Sequence, residues 1–227
     1  MKKLFLLLII ISFVFSCTQD TYEKGDGEYS LLRGEFVEAQ ADANKQLVTM
    51  VTDDGDRLAF SKPYSAKWIM KGDTTYRCML YYNKVEKSQG EYEAEVISLG
   101  QVPCPIVKSL SEFDKEFRTD PVKFESMWLS KSGKYLNFYL QLKTGVTEDT
   151  SAVQQLAFLT DTIMTYANGA HTRHLWLHHD QNRVPEYYST KAYISIPTTQ
   201  LDADSISVSI NTYTGLIKKT IPLNNKR

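Results

Sequence analysis

All four histidines of the chain lie within one short stretch, "HTRHLWLHHD", residues 171–180. Imidazole is the commonest metal ligand, and it is also the commonest general acid or base near neutral pH. Clustering of this kind could indicate a metal centre or a hydrolytic site. In a helix, three of these side chains would share one face: His171, His174 and His178.

The surrounding residues favour a strand over a helix. The turn-forming triplets "NGA" and "DQN" flank the stretch, and "HLWLHH" alternates apolar and polar residues. On a strand, His174 and His178 would lie about 13 Å apart on one face, too far to bind one metal ion, while His179 would face the other side. We therefore expect a strand with an exposed polar face that runs into a loop. A metal-binding or hydrolytic site built from His174, His178 and His179 is the weaker alternative, since it needs a β-bulge or a loop to bring them together.

No other motif in the sequence indicates catalysis. The acidic "DDGD" of residues 53–56 lacks the ligand spacing of a calcium loop and is better explained as a hairpin turn. The sequence has no G-x-S-x-G nucleophile elbow, no H-E-x-x-H zinc motif and no Cys-His pair in a recognisable context. We therefore expect no catalytic residue, no cofactor and no enzymatic activity.

Composition and charge argue against nucleic acid as a partner. The 227 residues are 42% hydrophobic, as in ordinary globular proteins, and carry a formal net charge of -1. Loss of Lys2 and Lys3 with a cleaved signal would make the charge about -3. A weakly acidic protein has no electrostatic attraction to a phosphate backbone.

The N-terminus predicts a lipoprotein. A basic "MKK" precedes the apolar run of residues 4–15, which is too short to span a bilayer but typical of a signal peptide. The following "VFSC" resembles a bacterial lipobox, so we expect a signal peptide over residues 1–16 and a diacylglycerol on Cys17. A signal peptide without lipidation, followed by an incidental cysteine, is the alternative. Residues 17–28 are expected to form a polar tether, which places the protein in the bacterial cell envelope as an outer-membrane lipoprotein, facing either the periplasm or the cell surface.

Two cysteines remain if Cys17 carries a lipid. The envelope is an oxidising compartment, so a disulfide between Cys78 and Cys104 is chemically allowed. Two separately buried thiols are the alternative, and the spacing leaves both open.

The strand pattern divides the mature chain into two β-domains. Five or six short strands over residues 29–107, with turns at "DG" and "SQG", predict an OB-like small barrel. Two prolines then break the pattern, and residues 108–119 are expected to form a linker with a short helix. About seven further strands over residues 120–227 predict an antiparallel β-sandwich. The expected fold class is all-β.

Several tyrosines fall on strand faces opposite the apolar ones. A tyrosine on a sheet face can stack on a sugar ring or anchor a protein partner, but it can equally pair with its cross-strand neighbours. The candidate ligand-binding aromatics are Tyr81, Tyr135, Tyr139, Tyr187 and Tyr193.

The chain resembles the NigD-like lipoproteins of Gram-negative gut anaerobes. The matching segments are the lipobox and tether, "LVTMVTDDGDRLAF", "YRCMLYYNKV", "HHDQNRVPEYYSTKAYISIP" and the closing "INTYTG". The resemblance covers nearly all of the mature chain and implies an OB-type N-terminal domain followed by a β-sandwich. It implies no catalytic residues.

These observations favour a membrane-anchored envelope lipoprotein that binds a glycan, a peptide or another envelope protein. One alternative is a metal-binding or hydrolytic protein that uses the His171–His179 stretch. Another is a bacteriocin-associated or immunity-type structural protein.

Overall fold

The computed structural model describes residues 32–223, and the predicted signal peptide, Cys17 and tether lie outside the described residues. The described part contains thirteen strands and two single 3₁₀ turns, which confirms the all-β prediction. The strands are β1 Leu32–Ala41, β2 Leu47–Thr52, β3 Arg57–Tyr64, β4 Thr75–Ser88, β5 Glu91–Gln101, β6 Lys108–Ser109, β7 Lys123–Leu129, β8 Tyr135–Thr144, β9 Gln155–Thr165, β10 His171–Asp180, β11 Tyr188–Pro197, β12 Ser205–Thr212 and β13 Gly215–Pro222.

The first five strands close into a barrel in the order β1-β2-β3-β5-β4. Alternate residues of each strand face inward, and β4 contributes the fully buried Cys78, Leu80 and Tyr82 to the barrel core. Gly55 and Gly90 lie at the two predicted hairpin turns. Their φ angles of +92° and +81° are ones that residues other than glycine rarely adopt. The OB-like assignment of this barrel stays a prediction.

Two stacked sheets form the predicted C-terminal sandwich. The five-stranded sheet has the order β13-β12-β10-β9-β6, and the three-stranded sheet has the order β11-β8-β7. Along β8 the predicted apolar face is buried between the sheets, with Leu136, Phe138 and Leu140 all inaccessible to solvent. The core is therefore built by the period of two that the sequence shows.

Two strand pairs of the sandwich are parallel, which the antiparallel prediction did not include. β10 pairs with β12 in parallel from Thr172↔Ser205 to Trp176↔Ser209, and β6 pairs in parallel with β9. The parallel pairing of β10 with β12 follows from the path of the chain between them. The chain leaves β10, runs back through β11 in the other sheet and returns, so β12 has the direction of β10.

The predicted linker, residues 108–119, is bonded into the sandwich and does not form a free connection. Its first two residues are strand β6, and one 3₁₀ turn over Leu110–Glu112 replaces the expected helix. Ser109 caps this turn by accepting a hydrogen bond from the Ser111 backbone N–H. Further along, Arg118 and His179 are joined by a backbone hydrogen bond of 3.0 Å, which holds the segment on β10.

A buried arginine lies where the barrel meets the three-stranded sheet. Arg77, on β4, forms two hydrogen bonds of 2.7 Å with the carboxylate of Asp53, and only 2% of its side chain is exposed. The same guanidinium contacts Ser195 on β11 at 3.4 Å and Asn137 on β8 at 3.3 Å. Its charge therefore bridges the barrel and the outer face of the sandwich.

Aromatic rings and a second acidic residue enclose this guanidinium. Its central carbon lies 4.1 Å from the centroid of the Tyr135 ring and 5.1 Å from that of Phe36. The Tyr135 hydroxyl donates to Glu38 on β1 at 2.9 Å, and Lys134 donates to the same carboxylate at 2.6 Å. Burial alone would raise the pKa of Glu38, but these two hydrogen bonds, together with the positive charges of Lys134 and Arg77, outweigh it and lower the pKa.

Replacing Arg77 should weaken the whole fold. Arg77→Met leaves the Asp53 carboxylate without its bidentate partner in a largely buried position, and we expect a loss of about 3 kcal/mol in the free energy of unfolding measured by urea titration. Adding Asp53→Leu should restore most of this loss, because a neutral pair leaves no unpaired charge. Arg57→Met, on the exposed start of β3, is the control. A loss below about 1 kcal/mol for Arg77→Met would contradict this role.

Candidate functional site

An open groove of about 470 Å³ lies between the barrel and the sandwich. This junction groove has the size of a small-molecule site, and its lining is mainly apolar and aromatic. The barrel contributes Gly34, Glu35, Phe36, Asp53, Asp54 and Met79. The sandwich contributes Trp128, Leu129, Ser130, Lys131, Tyr139 and Tyr193.

Four aromatic rings of the groove contact one another. Phe36 packs edge-on against Trp128, with ring centroids 5.6 Å apart, and edge-on against Tyr193 at 5.5 Å. Tyr193 in turn stacks on Tyr139 at 4.9 Å. Contacts of this kind hold each ring in place, so the groove presents a preformed aromatic wall.

Two of the five tyrosines singled out from the sequence line this groove, and Tyr81 lies beside one of them. Tyr139 and Tyr193 line it, and burial together with the neighbouring Tyr81 and Tyr139 raises the pKa of Tyr193. Tyr135 instead covers Arg77 inside the junction. Tyr187 is 78% exposed and lies away from the groove lining, so the structure does not bring it to the other four.

Phe36 and Trp128 were not singled out from the sequence. Phe36 lies between Glu35 and Val37, and Trp128 lies between Met127 and Leu129, so no period-two alternation marked either ring. Gly34 was missed as well. A Cβ atom there would lie 2.8 Å from the Tyr81 ring, so the close approach of β1 to that ring requires glycine.

Charged groups lie at the rim of the groove. Lys131, in the turn between β7 and β8, pairs with Asp54 of the barrel at 2.8 Å, and both side chains are largely exposed. An exposed pair of this kind contributes little stability, so both groups can exchange their bond for one to a ligand. Glu35 supplies a further carboxylate to the lining.

A second depression, of about 460 Å³, lies on the barrel between β3 and β5. Most of its side chains are charged, and Tyr92 is its one aromatic lining residue. A charged and solvated surface is a weaker binding site than an aromatic one of equal size. The junction groove is therefore the better candidate.

The histidine stretch forms one continuous strand, β10, up to Asp180. The expectation of an exposed polar face that runs into a loop was wrong, because His178 and His179 are 2% and 1% exposed. The cause is the segment that precedes β7. Phe113 packs on the His178 ring at 4.8 Å, and the Arg118 backbone N–H donates to His178 Nδ1 at 3.1 Å.

The four histidines do not converge on one point. His179 faces the sandwich side of the strand, where its Nδ1 lies 3.0 Å from the Asp120 carbonyl oxygen. His171 Nδ1 contacts the Thr165 hydroxyl at 3.0 Å. Within residues 32–223, no group of three or more His, Cys, Asp or Glu side chains is placed to hold a metal ion.

His174 has two polar partners of its own. Its Nδ1 lies 2.8 Å from Asp161 Oδ1, and its Nε2 lies 2.8 Å from the Ser209 hydroxyl oxygen. The other oxygen of Asp161 accepts a hydrogen bond of 2.9 Å from the Trp176 indole. Asp161 and Ser209 were not among the residues singled out from the sequence.

The disulfide left open by the sequence is not formed in the structure. Cys78 is buried in the barrel core and Cys104 is exposed after β5, and both are free thiols. Each thiol donates to a nearby backbone carbonyl, that of Tyr76 and that of Val102 respectively, at 3.7 Å. Burial raises the pKa of Cys78 to about 12, so this thiol stays protonated at neutral pH.

The described residues thus form an all-β protein in which a small barrel is followed by a two-sheet sandwich. The family model for the NigD-like C-terminal beta sandwich domain matches residues 105–223. The chain therefore belongs to the NigD-like family. No curated protein matched the sequence.

One solved structure agrees with this assignment, and two others share the fold. A NigD-like immunity protein from Bacteroides caccae is 25% identical, with a TM-score of 0.63 over 82% of this chain and 91% of that one. A Bacteroides vulgatus protein of unknown function is 15% identical, with a TM-score of 0.61 over 86% and 93% of the two chains. A candidate lipoprotein from Bacteroides fragilis is 10% identical, with a TM-score of 0.62 over 86% and 100%. The last two likenesses concern the fold alone.

The buried histidines should make stability depend on pH. Burial lowers the pKa of both His178 and His179 below the unfolded value of about 6.5. As pH falls below that value, these histidines become protonated in the unfolded chain but stay neutral in the folded chain. The stability present at about pH 7.5 is therefore progressively lost. Urea titrations at several pH values between 8 and 5 should show a shallower loss for His179→Gln than for the unmodified chain. Identical slopes for the two proteins would contradict the account of His179.

Proposed function

We propose that this protein is an envelope lipoprotein that binds a glycan in the junction groove. The aromatic wall of Phe36, Trp128, Tyr139 and Tyr193 is the observation that carries the proposal. Sugar rings have apolar C–H faces that pack on aromatic rings, and hydroxyl edges that need polar partners. The groove offers both kinds of surface side by side.

Polar groups lie beside the aromatic wall and can bond a sugar's hydroxyls. Glu35 and Asp54 supply carboxylate acceptors, and Lys131 supplies an ammonium donor at the rim. The openness of the groove to solvent at its rim suits a chain that continues beyond the bound unit. An extended glycan is therefore a better fit than a small metabolite enclosed on all sides.

Preformation of the groove supports binding without large rearrangement. Phe36 contributes to the wall and also covers the buried Arg77, which is fixed by Asp53. A wall that is rigid before binding loses less conformational entropy when the ligand arrives. The same contacts that join barrel and sandwich thus hold the proposed binding surface.

Loss of the largest ring should abolish most binding. Trp128→Ala removes the largest aromatic surface of the groove, and we expect affinity for a captured oligosaccharide to fall about 30-fold, equivalent to about 2 kcal/mol. Binding is measured on an immobilised glycan array and then by calorimetry with the best oligosaccharide. Tyr187→Ala, at an exposed aromatic outside the groove, is the matched control and should bind normally. Equal binding by both variants would place the glycan site elsewhere.

The envelope location rests on Cys17, which lies outside the described residues. Within residues 32–223, no helix is long and apolar enough to cross a membrane. We expect Cys17→Ser to lose its diacylglycerol and move the protein from the membrane fraction to the soluble fraction. Mass spectrometry of the mature N-terminus provides the check, and an unmodified terminus elsewhere in the native protein would remove the anchor from the proposal.

Immunity is a second candidate function. It is favoured by the 25% identity to a NigD-like immunity protein over most of both chains. In that case the groove would hold a segment of a secreted toxin, and aromatic side chains suit protein partners as well. Crosslinking in intact cells at Trp128 separates the two: a captured polypeptide supports immunity, and a captured glycan supports the proposal above.

A further inference from the structure

Three side chains on the outer face of the five-stranded sheet form a continuous line of hydrogen bonds. Ser209 Oγ lies 2.8 Å from His174 Nε2, and His174 Nδ1 lies 2.8 Å from Asp161 Oδ1. The three residues come from three neighbouring strands: β12, β10 and β9. A hydroxyl, an imidazole and a carboxylate in this order are a nucleophile, its base and the group that orients the base.

The strand pairing explains how they meet. Parallel pairing places Ser209 opposite Trp176, two register positions past His174, on the face opposite the apolar Val208 and Ile210. On the other side, the register of β9 slips between His174 and Leu175, which leaves Asp161 as an extra, unpaired residue. A β-bulge of this kind redirects a side chain, and here it turns the carboxylate toward the imidazole.

Two hydrogen-bond donors hold the Asp161 carboxylate in place. Besides His174, the Trp176 indole N–H donates to Asp161 Oδ2 at 2.9 Å. Burial alone would raise the pKa of Asp161, but the hydrogen bonds from Trp176, His174 and Thr162, together with the electrostatic attraction of His174, outweigh it and lower the pKa, so the group is a carboxylate at neutral pH. A carboxylate accepts only, and therefore His174 Nδ1 carries the proton.

This tautomer leaves the Nε2 lone pair free to accept. The Ser209 hydroxyl then donates to His174 Nε2, which is the arrangement in which imidazole removes the proton from an attacking serine. Lys218, on β13, is the cross-strand partner of Ser209 and lies on the same face of the sheet.

We propose that Ser209, His174 and Asp161 form an acyl-transfer site that hydrolyses small esters. Ser209 Oγ bonds to the acyl carbon while its proton passes to His174 Nε2. The carbon–oxygen bond to the leaving alcohol then breaks, and the alcohol takes that proton. Water attacks the acyl-serine, gives its proton to His174 and releases the carboxylic acid as Oγ regains a proton.

The accessibility of these groups restricts the acyl group. Ser209 is 5% exposed, whereas the side chains of His174 and Asp161 are 14% and 28% exposed. The Trp176 ring packs against the His174 ring at 5.3 Å and forms an apolar wall beside the serine. Because Ser209 is almost fully covered, we restrict the proposal to short acyl groups such as acetyl. This site is distinct from the junction groove, so it is independent of the proposed glycan binding.

Covalent labelling tests the nucleophile directly. The folded protein is treated with a fluorophosphonate probe, and the modified residue is located by peptide mass spectrometry. We expect the label on Ser209 in the unmodified chain and none on Ser209 in His174→Ala. Ser207→Ala is the matched control, because Ser207 also lies buried on the outer face of β12 but bonds Thr220 at 3.1 Å instead of a histidine. Ser209 should be labelled normally in Ser207→Ala.

Hydrolysis of p-nitrophenyl acetate tests the roles of the other groups. Ser209→Ala should lower kcat by about 1,000-fold or more, and Asp161→Asn should lower kcat by a similar factor with little change in KM. Circular dichroism establishes that each variant is folded. An unlabelled Ser209 in the folded, unmodified chain would overturn the proposal, as would equal labelling in His174→Ala. In either case the hydrogen bonds among Ser209, His174 and Asp161 would have only the structural role of joining the strands.

Discussion

The bidentate bond between Arg77 and Asp53 is the contact on which the arrangement of barrel and sandwich depends. The guanidinium is almost fully buried, and it is satisfied only when Asp53, Asn137 and Ser195 all lie around it. A buried ion pair adds little net stability compared with apolar residues of the same shape, but either charge left alone costs several kcal/mol. The pair therefore selects one relative position of the two β units and excludes others, which would leave a charge unpaired in an apolar junction.

The junction groove is a consequence of that position. Phe36 packs on Arg77 from one side and meets Trp128 and Tyr193 on the other, so the aromatic wall extends directly from the buried pair. The triad-like line on the outer sheet face has a different origin, since it depends on the parallel pairing of β10 with β12 and on the bulge at Asp161. The molecule thus has two independent candidate sites, one in the junction groove and one on the outer face of the five-stranded sheet.

Much of the fold could be predicted from local pattern, and the sites could not. Alternation along β8 was sufficient to assign Leu136, Phe138 and Leu140 to the core, and the two hairpin glycines marked their turns. The partners of Arg77 lie 24, 60 and 118 residues away in the sequence, so no local pattern reveals them. The burial of His178 was unpredictable for the same reason: a segment outside its strand covers it.

The central claim is that barrel and sandwich behave as one unit because of the buried pair at their junction. Native-state hydrogen exchange measures this directly, by comparing the opening free energies of core amides in β4 and in β8. The account predicts that both sets open together, with the same free energy and the same dependence on denaturant. Exchange of the β4 amides through a separate opening, several kcal/mol below that of the β8 amides, would contradict it.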